Sequence, residues 1–108
     1  MHVYYLLTMD LNDKKNYNNV RSFFHIKEVV FDEKTRQKLL YKHGVEPWQV
    51  KELAINASEL FWEESKEHGM RFIATAETEQ GQEIYIALQL LDARKGRWKC
   101  ITAFYEER

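Results

Sequence analysis

Residues 70–105 read MRFIATAETEQGQEIYIALQLLDARKGRWKCITAFY, and this stretch decides the fold. In three runs, 70–77, 83–92 and 97–105, apolar residues recur at every second position, which is the period of a β-strand with one buried face. Two short polar segments, containing Gly81 and Gly96, separate the runs. Strands joined by such short connections pair as antiparallel neighbours. The stretch therefore predicts an antiparallel meander.

Upstream of the meander the period changes to that of helices. Asp32 is a favourable N-cap and Gly44 a favourable helix end, so a helix is predicted over about Glu33–His43. A second helix, over Pro47–Ala57, begins with a proline, whose missing N–H costs nothing in a first turn. The run Phe24–Phe31 before these helices predicts a strand.

The element order then gives the fold class. A strand at Leu60–Trp62 and a turn at His68–Gly69 complete the order β-α-α-β-β-β-β. It predicts an α+β domain with two N-terminal helices packed on one face of a four- to five-stranded, mainly antiparallel sheet. The domain is expected over residues 23–108. The extension over residues 1–22 is interpreted either as an extra strand followed by a polar linker or as a disordered start.

The composition fits one small globular domain. The 108 residues are 44% hydrophobic and 31% charged, which excludes disordered and collagen-like chains. A net charge of −1 gives no overall field that attracts nucleic acid or membranes. The single cysteine suits a reducing compartment, so a cytoplasmic location is expected. The apolar start at residues 1–9 is too short for a spanning helix, and no membrane association is expected.

Strand alternation sorts the meander into two faces. The face covered by the helices is expected to take Phe72, Ala74, Ile86, Leu88, Trp98, Cys100 and Phe104. The opposite face is expected to take Arg71, Thr75, Tyr85, Gln89, Arg97, Lys99 and Tyr105.

This opposite face is a candidate platform for RNA. Arginine and lysine hold phosphates, and tyrosine stacks on unpaired bases. The same cations can stabilise the charge that builds on phosphorus when a ribose 2′-OH attacks the neighbouring phosphate, with Glu106 or Glu107 as a candidate base. The alternative is that these are ordinary solvated charges on a sheet with one wet face. The catalytic candidates are Arg71, Tyr105 and Lys99, and the RNA-binding candidates are Lys38, Lys42, Arg94, Lys95 and Arg97.

Other reactive residues point to less specific roles. The four histidines and one cysteine show no metal-ligand spacing, so neither a metal nor a cofactor is expected. His43 is interpreted first as a helix C-terminal residue, and Cys100 as a buried inert thiol. Trp48 and Trp62 fit either the core or an exposed anchor for a protein partner.

Several short motifs carry a resemblance to a known family. Residues 31–34 read FDEK, residues 42–45 read KHGV, residues 71–74 read RFIA and residues 101–103 read ITA. With these four motifs in this order, the chain resembles the BrnT family of type II toxins over about Ile26–Glu106. The resemblance implies a RelE/ParE-like toxin fold, a ribonuclease activity that halts translation, and neutralisation by a tightly bound antitoxin.

Only some of the family's site residues have counterparts in this chain. Arg71 matches the strand arginine that the family is thought to use in RNA cleavage. Where the family ends its last strand with an arginine pair after I-[ST]-A, this chain has Phe104 and Tyr105.

Two functional hypotheses follow. The first is the toxin component of a type II toxin–antitoxin system, a metal-independent endoribonuclease that inhibits translation, with a cognate antitoxin and RNA, on or off the ribosome, as partners. The alternative is a non-catalytic protein-binding module on the same fold. Whether the chain forms homo-oligomers is left open.

Overall fold

The structure is a computed structural model that describes residues 19–65 and 69–105. The predicted extension before Asn19 and the candidate bases Glu106 and Glu107 lie outside the described residues. Of the turn predicted at His68–Gly69, only Gly69 is described, and it is the first residue of a strand.

The described chain forms five strands and two helices. A short 3-10 turn at Arg21–Phe23 precedes them. The strands are β1 (Glu28–Val30), β2 (Glu59–Ser65), β3 (Gly69–Glu77), β4 (Glu83–Asp92) and β5 (Arg97–Tyr105), and the helices are α1 (Glu33–His43) and α2 (Pro47–Ile55).

One mixed sheet contains all five strands, in the order β1-β5-β4-β3-β2. Strands β2 to β5 form the antiparallel meander that the sequence predicts. Strand β1 joins its edge by pairing parallel to β5, with Val29 opposite Trp98. Both helices pack on one face of the sheet. The predicted α+β architecture is confirmed.

Strand β1 is shorter than the predicted strand at Phe24–Phe31. Only Glu28–Val30 has ladder geometry. Just before it, the backbone N–H groups of Lys27 and Glu28 both donate to the carbonyl of Gly96, at 2.8 and 3.0 Å. This shared carbonyl joins the incoming chain to the β4–β5 turn and replaces a regular ladder there.

The ends of α1 follow the sequence signals. The Asp32 carboxylate accepts a hydrogen bond from the Thr35 backbone N–H at 2.7 Å. Gly44 takes the left-handed conformation, with φ of 63°. The predicted cap and stop of this helix are confirmed.

Helix α2 ends at Ile55, two residues before the predicted end. The Arg21 guanidinium donates to the carbonyls of Ile55, Ala57 and Phe24 at 2.7–2.9 Å. A side chain distant in sequence therefore satisfies the carbonyls at this end of the helix, where no intrahelical partner exists.

The main core lies between the helices and the sheet. Its largest buried side chain is Trp98, whose indole N–H donates to the His25 carbonyl at 2.7 Å. The Phe24 and Phe72 rings meet the indole edge to face, with centroids 5.8 and 5.1 Å away. Trp62 packs against this core, whereas Trp48 is exposed. The fully or nearly buried members of the core include Leu39, Val45, Val50, Ala54, Leu60, Ile84, Ile86, Leu88 and Cys100.

Candidate functional site

Two of the three predicted catalytic residues share one face of the sheet. Phe72, Leu88 and Cys100 form a row of directly paired residues on the helix-covered face. Arg71 and Lys99 each precede a member of this row by one residue, so alternation points both to the opposite face. They lie two strands apart, a backbone separation of about 10 Å, which long side chains can bridge around one phosphodiester.

The prediction that Tyr105 lies on this same face is wrong. Tyr105 pairs with Ile84 and packs against the main core on the helix side. Phe104, predicted in the core, pairs with Tyr85 on the opposite face and is 41% exposed.

A β-bulge at Ile101 explains both errors. Ala87 pairs with Thr102 and Leu88 with Cys100, so Ile101 is an extra residue in β5. One extra residue reverses the direction of every later side chain in the strand. Strict alternation from Trp98 therefore fails after Cys100.

One group of basic residues lies at the β4–β5 turn. Arg94 and Lys95 of this turn, together with His25, Lys27 and Glu28, line an open groove of about 700 Å³. This turn lies at the end of the sheet where β3 and β5 begin, so it is at the same end as Arg71 and Lys99. His25 and Lys27 were not singled out from the sequence, because only the pairing of residues 27 and 28 with Gly96 brings them here.

The cations of β5 have acidic neighbours. Lys99 Nζ lies 3.3 Å from Asp32 Oδ2, and Arg97 Nε lies 3.8 Å from Glu28 Oε1. Hydrogen bonds from Thr35 and then Lys99 hold the pKa of Asp32 below its ordinary value. Because all four side chains are about half exposed, these pairs are weak enough for an incoming phosphate to compete with the carboxylates.

The structure separates Lys38 and Lys42 from this group. Both are exposed on α1, which packs on the other side of the sheet. They lie one helical turn apart, and the sheet lies between them and Arg71.

His43 and Cys100 have environments that favour their neutral forms. Burial, then the charges of Lys42 and Lys38, lowers the pKa of His43. Burial raises the pKa of the Cys100 thiol to about 12, with a further contribution from Asp32. The thiol is fully buried, as predicted, and unsuited to act as a nucleophile.

The centre of the opposite face is not the open polar platform that the sequence predicts. Thr75 and Tyr85, expected there as exposed groups, are buried at that face. Ile73, Tyr85 and Ala87 form a second apolar cluster, with Ile101 packed against it. The Thr75 hydroxyl donates to Glu59 Oε1 at 2.9 Å. The polar groups of this face therefore lie at its rim.

A second groove lies on the helix side. It has a volume of about 330 Å³, and its lining includes Trp48, Glu52, Glu79 and Tyr105. Trp48, for which both a core position and a role as partner anchor were open, is 61% exposed.

Among the described residues, no three His, Cys, Asp or Glu side chains converge to hold a metal ion. Over the same part of the chain, no helix has the length and apolarity needed to cross a membrane.

Comparison with known proteins supports the fold. No family model matches the sequence, and no curated protein sequence matches it. The structure is similar to the crystal structure of the ribonuclease toxin BrnT from Brucella abortus. The TM-score is 0.54 and the sequence identity 18%, and the match covers 75% of this chain and 97% of the BrnT chain. The chain therefore has a BrnT-like fold, with a quarter of its length outside the match.

Proposed function

We propose that this protein is a toxin-like endoribonuclease, the toxin of a type II toxin–antitoxin pair, which cleaves RNA and so inhibits translation. The observation that carries the proposal is the similarity to a ribonuclease toxin over nearly the whole of that toxin's chain. The basic residues at one end of the sheet support it, since cations at such a surface are what a phosphodiester backbone requires.

The proposed reaction uses the RNA's own nucleophile. A ribose 2′-oxygen attacks the adjacent phosphorus, the bond to the 5′-oxygen breaks, and one proton leaves the 2′-OH while another reaches the departing oxygen. The products are a 2′,3′-cyclic phosphate and a 5′-hydroxyl, so no metal ion is required to generate a nucleophile.

Arg71 and Lys99 have complementary roles in this proposal. The planar guanidinium of Arg71 donates two hydrogen bonds to the phosphate oxygens, and the Lys99 ammonium adds a point charge. Both favour the transition state, in which negative charge on the phosphate oxygens is greatest. Arg94, Lys95 and Arg97 bind flanking phosphates. Tyr105, on the helix side, is not placed to join them.

Induced expression in a bacterial host tests the proposal. The wild-type chain should arrest growth with loss of intact RNA, and Arg71→Ala should relieve both effects. Arg36→Ala is a matched control, because it removes an exposed guanidinium from α1, where it lies over the Phe31 ring. Growth arrest by Arg71→Ala as strong as that by the wild type would show that the site is assigned wrongly.

A second candidate function is a non-catalytic protein-binding module on the same fold. The groove with the exposed Trp48 favours it, since tryptophan is enriched among the residues that dominate protein interfaces. Under this alternative, Trp48→Ala weakens co-purification of a partner, Arg71→Ala leaves it unchanged, and the wild-type chain does not arrest growth. An antitoxin is the partner expected under the first proposal.

A further inference from the structure

Gln89 occupies the position between Arg71 and Lys99. In the antiparallel register that pairs Phe72 with Leu88, the next position holds Arg71 on β3 and Gln89 on β4. Gln89 in turn pairs directly with Lys99 on β5. The three residues therefore form one row across three neighbouring strands, and the backbone of Gln89 lies about 5 Å from that of either cation.

The Gln89 side chain lies on the face of the sheet opposite the helices. Its two neighbours in β4, Leu88 and Leu90, both contact the main core on the helix side. The residue between them therefore points the other way. Gln89 is exposed, and within residues 19–65 and 69–105 no hydrogen bond holds its amide. This amide is available to a ligand.

A phosphodiester held by both cations lies over Gln89. The backbones of Arg71 and Lys99 are about 10 Å apart, so a group that both side chains reach sits near the midpoint of the row. Gln89 occupies this midpoint. Because side chains stand roughly perpendicular to a sheet, its amide rises toward the bound phosphate and the sugar beside it.

The amide adds a chemical function that the two cations lack. Arginine and lysine side chains only donate hydrogen bonds, whereas glutamine has a carbonyl that accepts as well as an NH₂ group that donates. A ribose 2′-OH both donates and accepts, and it is the group that distinguishes RNA from DNA. A carboxylate at this position would also accept, but its charge would repel the phosphate. A neutral acceptor between two cations therefore suits a 2′-OH beside a phosphate.

We propose that Gln89 recognises ribose at this site, with its side-chain carbonyl accepting a hydrogen bond from the 2′-OH next to the phosphate that Arg71 and Lys99 hold. The contact selects ribose over deoxyribose and fixes the position of the 2′-oxygen beside phosphorus. Gln89 takes no proton, since a neutral amide is too weak a base. The inference rests on the proposed function, because it takes an RNA phosphate as the ligand of the two cations.

Two nucleotides that differ only in the 2′-OH test the proposal. Adenosine 3′-monophosphate and 2′-deoxyadenosine 3′-monophosphate carry the phosphate at the same position, and neither has a phosphodiester to cleave. NMR titration of the full-length protein gives both dissociation constants. The wild type should bind the ribonucleotide about 3–10-fold more tightly, which is the contribution of one net hydrogen bond. The side-chain NH₂ signals of Gln89 should shift during this titration.

Matched substitutions separate this contact from others at the site. Gln89→Met keeps the length of the side chain without the amide and should abolish the preference, so that both nucleotides bind equally. Gln82→Met, at an exposed glutamine just before β4 and at the other end of this strand, should retain the preference. Lys99→Met should weaken binding of both nucleotides by the same factor, since they share the phosphate.

Three outcomes would overturn the proposal. They are equal binding of the two nucleotides by the wild type, a preference that Gln89→Met retains, and binding of neither nucleotide. The titration requires no cleavage. A wild-type chain that prefers the ribonucleotide but leaves RNA intact would therefore contradict the proposed function alone.

Discussion

Two glycines with the same backbone conformation, Gly44 at the end of α1 and Gly96 in the β4–β5 turn, should respond differently to substitution by alanine. Gly44 and Gly96 both have φ of 63°. A Cβ added at Gly44 would meet nothing within 4 Å. At Gly96 it would lie 3.0 Å from the His25 Cβ, 3.1 Å from the Lys27 Cβ and 3.2 Å from the His25 carbonyl oxygen. These neighbours are backbone and Cβ atoms, which can move only if the backbone of residues 25–27 shifts with them.

Gly44→Ala should therefore change stability through backbone conformation only, with no steric clash. A left-handed non-glycine residue costs about 1–2 kcal/mol. Loss of freedom in the unfolded chain offsets about 0.4–1 kcal/mol of that cost. The expected net destabilisation is about 1 kcal/mol or less.

Gly96→Ala should add the steric contribution to this strain. Forcing an extra carbon into a packed site costs about 1–3 kcal/mol. The Gly96 carbonyl also accepts from Lys27 and Glu28, so a shift of the turn disturbs the entry into β1. The variant should lose about 1–4 kcal/mol in total.

Urea denaturation monitored by circular dichroism compares the two variants with the wild type. With a slope of about 1–3 kcal/mol per molar urea, Gly96→Ala should unfold at a midpoint about 1 M below that of Gly44→Ala. Equal midpoints for the two variants would refute the close approach of the turn to His25 and Lys27.

Three further predictions concern buried and titratable side chains. Trp98→Phe loses the hydrogen bond to the His25 carbonyl and should cost about 1–3 kcal/mol, whereas Trp48→Phe, at an exposed position, should change the free energy of unfolding by less than about 0.5 kcal/mol in urea titrations. The lowered pKa of His43 means that the unfolded chain binds more protons near pH 6.5 and below, so stability should fall as the pH falls through this range. His43→Asn should flatten that part of the stability profile, and an unchanged slope would contradict the assignment. Cys100 should react with a thiol reagent at pH 8 only as fast as the chain unfolds, and rapid labelling of the native protein would show that its burial is wrong.

The sequence predicted the architecture because its signals are local. The Asp32 cap, the left-handed Gly44 and the period-two runs of the meander depend on neighbours in the chain, and each is confirmed. The end of α2 was misplaced because the Arg21 guanidinium, more than thirty residues away in sequence, acts there.

The candidate site was predicted less well because it depends on register and on distant contacts. The bulge at Ile101 leaves no composition signal, and it reverses the faces of Phe104 and Tyr105. The ion pairs of Arg97 and Lys99 arise from the parallel pairing of β1 with β5, which alternation alone does not reveal. Strand β3 has no register shift, so alternation still points Arg71 to the opposite face.

The central claim is that Arg71 promotes attack by a ribose 2′-OH. The measurement that tests it most directly is the single-turnover cleavage rate of an RNA by purified wild-type, Arg71→Ala and Arg36→Ala proteins, with a chelator present. Removal of one charge-stabilising donor lowers catalytic rates by about 10²–10³-fold. The account predicts such a loss for Arg71→Ala, no loss for Arg36→Ala, and no cleavage of a substrate with 2′-deoxyribose at the cleaved position. Undiminished cleavage by Arg71→Ala, or cleavage of the deoxy substrate, would contradict it.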